Sequence, residues 1–92
     1  MAISNVSVGA TATLVAAGNP YRDTLTIQHV DTTHSAVAVW IGTDPAIEAS
    51  EGLYLSGLGA AVDISRAAGA GCAWYGVVAA DTAIVAVGTG ER

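Results

Sequence analysis

Two histidines and an aspartate around one polar turn form the densest group of metal-ligating side chains in the chain. His29, Asp31 and His34 supply imidazole and carboxylate groups, which zinc accepts as ligands. His29 and Asp31 fall on one face of a predicted strand, whereas His34 follows the turn, and no fourth ligand stands at a usual spacing. The pattern favours a His29 at the edge of the core and a solvated His34, and we expect no bound metal.

Three carboxylates lie in the segment from Thr43 to Gly52, namely Asp44, Glu48 and Glu51. Paired carboxylates act as general acid and base or bind calcium, but EF-hand spacing is absent and no partner base is evident. A solvated acidic loop is the better interpretation. Because loops carry binding contacts more often than cores do, Asp44 and Glu48 are candidate interface residues.

Cys72 is the single cysteine, so it forms no disulfide within the chain. Nucleophilic catalysis would need a serine or Cys72 beside a histidine and an orienting acid, and the sequence does not establish that His29 or His34 meets it. We expect Cys72 to be a small buried hydrophobe. The glycine groups at 57–59 and 69–71 do not complete a phosphate-binding pattern. These observations predict neither an enzyme nor a cofactor.

Four aromatic side chains are candidates for binding, and they fall on three predicted strands. They are Trp40, Tyr54, Trp74 and Tyr75. Flat aromatic rings anchor protein interfaces and stack on sugars. Filling of the core and of interfaces is the favoured interpretation, and a platform for carbohydrate is the alternative. With the two acids named above, these four complete the set of interface candidates.

A regular series of short β-prone segments must position these residues. About eight runs of Val, Ile, Thr, Leu and Ala, each closed by Gly, Asn, Asp or Pro, fill the 92 residues. This rhythm predicts one all-β domain over residues 1–92, a small antiparallel β-sandwich or barrel of about eight short strands. No apolar run approaches the length of a membrane span, and no basic region precedes an apolar stretch at the start. We therefore expect neither membrane insertion nor a signal peptide.

The order of the runs predicts local strand pairing. The clearest alternation is in Arg22–Val30, with Leu25, Ile27 and His29 on one face, and this strand is predicted to form a hairpin with Ala36–Ile41. Two further pairs are predicted at the ends of the chain: 5–8 with 11–16, or one bulged strand, and 72–80 with 82–88.

Three segments between these pairs complete the predicted organisation. Short strands are expected at 53–55 and 61–64. The 43–52 segment is predicted to be the longest loop, with a helical turn at 46–50. The small residues at 67–71 are expected to form a flexible connection.

The charge balance excludes several partners. Eight acidic residues face three arginines and no lysine, which gives a net charge of −5. Nucleic acid and anionic membranes are disfavoured because affinity for phosphate comes mainly from Lys and Arg. Only 12% of the residues are charged and 52% are apolar, whereas about 25% charged residues is usual in soluble domains. We expect part of the surface to be covered in an assembly.

The first half of the chain resembles small virion proteins of tailed bacteriophages, including head decoration proteins and fibre-like modules. The similar segments are Val8–Leu14, Asn19–Arg22, Leu25–Gln28 and a Val-rich strand ending in Ile41-Gly42, with a weaker likeness at Trp74–Val77. The acidic loop from Thr43 to Gly52 departs from the shorter connection typical of the family.

The resemblance implies a non-enzymatic virion component, made in the host cytoplasm and packed onto the capsid as a decoration (cement) or head-fibre protein. Its expected partners are the major capsid protein or another virion protein and further copies of itself, with a trimer as the starting guess. The alternative is a module of a phage fibre that binds carbohydrate or another feature of the host surface.

Overall fold

Eight strands and one short 3₁₀ helix make up the structure, a computed structural model that describes residues 2–91. The strands are β1 (Ala2–Val8), β2 (Thr13–Ala16), β3 (Arg22–His29), β4 (Val39–Gly42), β5 (Leu53–Leu55), β6 (Ala61–Ser65), β7 (Trp74–Val77) and β8 (Ala83–Glu91). The 3₁₀ helix spans Arg66–Ala68. Over the described part of the chain, no helix has the length and apolar character needed to cross a membrane.

The strands form two four-stranded antiparallel sheets packed against each other. Sheet A has the order β1-β8-β3-β6 and sheet B has the order β2-β7-β4-β5. The predicted all-β sandwich of about eight strands is therefore confirmed. This strand order is that of the eight-stranded jelly roll, an architecture of two Greek keys.

Strand pairing is nested rather than local. β1 pairs with β8, β2 with β7, β3 with β6 and β4 with β5. Only β4 and β5 are neighbours both along the chain and in a sheet, since every other connection crosses between the sheets.

The three predicted local pairings are wrong for this reason. β3 does not form a hairpin with β4, and β7 does not pair with β8. The 5–8 and 11–16 segments form neither a pair nor one bulged strand, because β1 belongs to sheet A and β2 to sheet B.

The core lies between the sheets and follows the alternation of the strands. Leu25, Ile27 and His29 of β3 are fully buried, as the alternation predicts. Val39 and Ile41 of β4 face them from sheet B and are also fully buried.

Two connections, at 43–52 and 67–71, differ from the predictions. The 43–52 loop contains two turns. They are closed by hydrogen bonds from Ile47 N–H to the backbone oxygen of Asp44 and from Glu51 N–H to the backbone oxygen of Glu48. The predicted helical turn at 46–50 is wrong, because Ser50 has a φ of 78°, which a helix does not allow. The 3₁₀ helix overlaps the start of the predicted 67–71 connection, and its Ala68 N–H donates to Ser65 Oγ.

Cys72 is exposed, so the prediction of a buried cysteine is wrong. The reason lies in the backbone before β7. The guanidinium of Arg22, itself only 4% exposed, donates from Nε to the Ala70 oxygen and from Nη2 to the Cys72 oxygen. This segment thus turns its carbonyl groups inward to Arg22, while the thiol faces solvent.

Candidate functional site

The outer face of sheet B carries a row of apolar side chains across all four strands. Leu14 of β2 lies opposite Tyr75 of β7. Trp40 of β4 lies opposite Val77 of β7 on one side and opposite Tyr54 of β5 on the other. Because residues directly opposite each other share a sheet face, these five side chains form one surface, here called the aromatic row.

The aromatic row is open to solvent at both ends and dense in its middle. Leu14 is 48% exposed and Tyr54 is 59% exposed, whereas Trp40 and Tyr75 are half-buried. Val77 is only 2% exposed although it lies outside the main core cluster. Val77 lies directly opposite Trp40, and Tyr75, which lies opposite Gly42, is two residues from Val77 on the same face of β7. The five side chains therefore share one surface.

Trp40 and Tyr54 form an aromatic pair at the β5 edge of the row. Their ring centroids are 5.4 Å apart and the ring planes are inclined at 44°, within the range of favourable aromatic contacts. None of the four strands of sheet B contains Asp, Glu, Lys, Arg or His.

The outer face of sheet A is different in character. It presents small and polar side chains, including Thr26, Gln28, Ala86 and Gly88, which line a shallow groove with Ile3. Thr26 Oγ1 donates to Asp63 Oδ1 on the neighbouring strand at 2.8 Å. The exposed large apolar side chains of this face, Ile3 and Ile84, lie among these small and polar groups, whereas the aromatic side chains lie on sheet B.

The acidic loop joins β4 to β5, and Ile47 fixes its conformation. Ile47 is 4% exposed in an otherwise exposed loop. A Cβ atom at Gly42 would lie 2.8 Å from Ile47 Cδ1, and one at Gly52 would lie 2.9 Å from the same atom. The two glycines thus make the space that Ile47 occupies.

A cavity of about 450 Å³ lies beneath this loop. Its apolar lining includes Ile41, Ile47, Leu53 and Trp74, and the acidic residues Asp44 and Glu51 also line it. A second hollow, of about 500 Å³, lies on the other side of the loop between residues 10–12 and 45–49, and it includes Glu48.

His29 and His34 are both engaged by hydrogen bonds. His29 is fully buried; its Nε2 lies 2.8 Å from the Val37 oxygen, and its Nδ1 lies 3.4 Å from the Asp31 N–H. Nε2 therefore donates to the Val37 carbonyl oxygen, and Nδ1 accepts from the Asp31 N–H. His34 Nδ1 lies 3.0 Å from Asp31 Oδ2.

Asp31 organises the turn after β3. Its Oδ1 accepts hydrogen bonds from the Thr33 and His34 N–H groups at 2.9 and 3.1 Å. Burial by itself raises the pKa of Asp31, but the hydrogen bonds from His34 and Thr33 outweigh it and hold the pKa below its usual value of 3.8. Within residues 2–91, no group of three or more His, Cys, Asp or Glu side chains is placed to hold a metal ion.

The structure brings together three of the six interface candidates. Trp40, Tyr54 and Tyr75 meet in the aromatic row. Trp74 faces the opposite way: it is 6% exposed, belongs to the core cluster, and its Nε1 donates to the Gly69 oxygen at 2.9 Å.

Asp44 and Glu48, the other two candidates, are exposed in the acidic loop, where they border different hollows. Leu14 and Val77 complete the aromatic row, although neither was among the predicted interface residues. The alternation within their strands could have placed both on the outer face, but only the sheet order makes them neighbours of Trp40 and Tyr75. Ile47 was missed too, and its signal is a lone large apolar residue in a polar loop bracketed by glycines.

Comparisons of the chain with protein-family models, with curated proteins and with solved structures find no match.

Proposed function

We propose that the protein is a non-enzymatic structural component of a bacteriophage particle. In this proposal it packs as a homo-oligomer onto the major capsid protein or another virion protein, as a decoration or head-fibre subunit. The resemblance of the segment from Val8 to Gly42 to small virion proteins supports the phage assignment.

The observation that carries the assembly role is the aromatic row on a sheet without charged side chains. Covering an apolar surface of this kind with another protein is favourable in free energy, because burial of the surface requires no desolvation of charge. Aromatic residues are enriched and Lys, Glu and Asp are depleted in protein interfaces. The row has that composition, with two tyrosines, one tryptophan and no charged side chain among its five members.

Arrangement of the strands also favours packing through a sheet face. β5 has only three residues, and a short edge strand limits pairing between sheet edges. A partner is therefore expected to cover the outer face of sheet B rather than to extend the sheet.

Two variants test this proposal. Tyr54→Glu places a charge in the aromatic row, whereas Ile3→Glu places the same charge at a 71% exposed apolar position on β1 of sheet A. Tyr54→Glu should weaken two things: self-association, measured by sedimentation at micromolar concentration, and binding to purified particles of the encoding phage. Ile3→Glu should leave both unchanged. Moderate salt should have little effect on the interface, because few ion pairs contribute.

Failure would be clear in the same experiment. If the parent protein is a monomer at micromolar concentration and does not bind the particles, the structural role is wrong.

A carbohydrate-binding role is the second candidate, and the exposed Trp40–Tyr54 pair favours it. Aromatic rings stack on the apolar faces of sugars, and jelly rolls also occur in lectins, although a shared architecture does not itself assign a function. A monomer retained on host glycans, and released by Trp40→Ala, would support this candidate over the structural one.

A further inference from the structure

The cavity beneath the acidic loop has two kinds of surface. Its apolar walls are Leu53, which is 44% exposed, and the small exposed parts of Ile47 and Trp74, whereas Asp44 and Glu51 are exposed acidic residues of its lining. Its volume of about 450 Å³ falls in the range of roughly 300–1,000 Å³ that is usual for ligand sites.

The two carboxylates are only partly used by the loop. Asp44 Oδ1 accepts from the Ala46 N–H at 2.8 Å, and Glu51 Oε1 accepts from the Glu48 N–H at 3.0 Å. Within residues 2–91, neither side chain takes part in an ion pair. Among the described residues, no cation therefore balances either acid beside this cavity.

We propose that this cavity binds the side chain of an arginine or lysine from the virion protein onto which the subunit packs, an inference that rests on the proposed function. Such a side chain has an aliphatic stem and a cationic end. The stem would lie against the apolar walls and the cation would meet Asp44 and Glu51. An anion would be repelled at the same place.

The chain itself has few cations to supply. It contains no lysine. Arg22 is buried and donates to the Ala70 and Cys72 carbonyl oxygens, and Arg66 pairs with Asp23 at 3.3 Å. Because both described arginines are already engaged, the cation is assigned to another protein.

Titration of the isolated chain with small probes tests the inference. The probes are N-acetyl-arginine methylamide and N-acetyl-lysine methylamide, with N-acetyl-norleucine methylamide as the neutral probe of similar stem. Saturable NMR shifts are expected at the Trp74 indole N–H and at the amides of 51–53 for both cationic probes. The neutral probe should bind more weakly.

Isosteric variants then test the carboxylates. Asp44→Asn and Glu51→Gln retain the oxygen that accepts the loop hydrogen bond and remove the charge. Because solvent-accessible ion pairs are weak, each should raise the Kd of the cationic probes about twofold to fivefold. Glu48→Gln makes the same change of net charge in the same loop but outside the cavity, so it should leave the Kd nearly unchanged.

Three results would overturn the inference: no saturable shift at the cavity, equal binding of the neutral probe, or an effect of Glu48→Gln as large as that of Glu51→Gln. The titration needs no virion partner, so its outcome is separate from that of the particle-binding experiment. Failed titration with intact particle binding removes the cavity inference alone. Successful titration without particle binding removes the virion role and leaves a cation site of another origin.

Discussion

Replacement of Trp74 by alanine should be among the most damaging single changes in the chain. Trp74 is 6% exposed within the core cluster, and its indole N–H donates to the Gly69 oxygen. Truncation of a buried tryptophan costs about 3–5 kcal/mol, and domains of this size unfold at a cost of roughly 5–15 kcal/mol. The core contains no phenylalanine that could move into the vacated space. We therefore expect Trp74→Ala to lose about a fifth or more of the total stability.

Trp40→Ala is the matched control, because it removes the same side chain from the half-buried outer face of sheet B. Its expected cost is about 1–2 kcal/mol, from partial burial and loss of the Tyr54 contact. Trp74→Phe should lose a similar amount, since it removes the indole hydrogen bond and keeps most of the apolar contact.

Urea denaturation followed by far-UV circular dichroism gives the free energy of unfolding of each variant without depending on which tryptophan remains. The reasoning is refuted if Trp40→Ala costs as much as Trp74→Ala, because the two faces of sheet B would then be wrongly assigned.

Two further predictions concern the loops. Gly52→Ala should lower the free energy of unfolding by about 1–3 kcal/mol more than Gly59→Ala does. Both glycines have positive φ, but only at Gly52 would a Cβ atom overlap the Ile41 backbone oxygen. Equal urea midpoints for the two variants would contradict this prediction. The stability advantage of the parent over Asp31→Asn should be complete above the usual carboxyl pKa of 3.8 and should shrink as pH falls through the lowered pKa of Asp31. Denaturation curves of both proteins across that pH range measure this difference in stability. A difference that grows as the pH falls would contradict a lowered pKa for Asp31.

Local sequence patterns predicted which side chains face the core. Alternation of apolar and polar residues placed Leu25, Ile27 and His29 on one face of β3, and all three are buried. The same alternation holds in β4, where Val39 and Ile41 are fully buried and Trp40 between them is half-buried. Such predictions succeed because the side-chain period of a strand is a property of the backbone and needs no knowledge of its neighbours.

Candidate binding residues were predicted less completely. Four aromatic residues were chosen as interface candidates, but nothing in the sequence separates Trp74 from its neighbour Tyr75. Adjacent residues of a strand point to opposite faces, so one of the two had to face the core, and only the sandwich decided which. Cys72 was placed wrongly because its orientation depends on carbonyl contacts with Arg22, which lies 50 residues earlier in the chain.

By itself, the sequence determined that the chain forms short strands, where most of them lie, and that a polar loop separates β4 from β5. Only the tertiary structure decided that β1 pairs with β8, β2 with β7 and β3 with β6. Backbone hydrogen bonds are the same for every strand and carry little information about the partner, whereas burial of apolar faces between two sheets involves the whole chain at once. The aromatic row depends on the distant β2–β7 and β4–β7 pairings, whereas the cavity under the acidic loop is lined mainly by the local β4–β5 hairpin and is completed by Trp74 of β7.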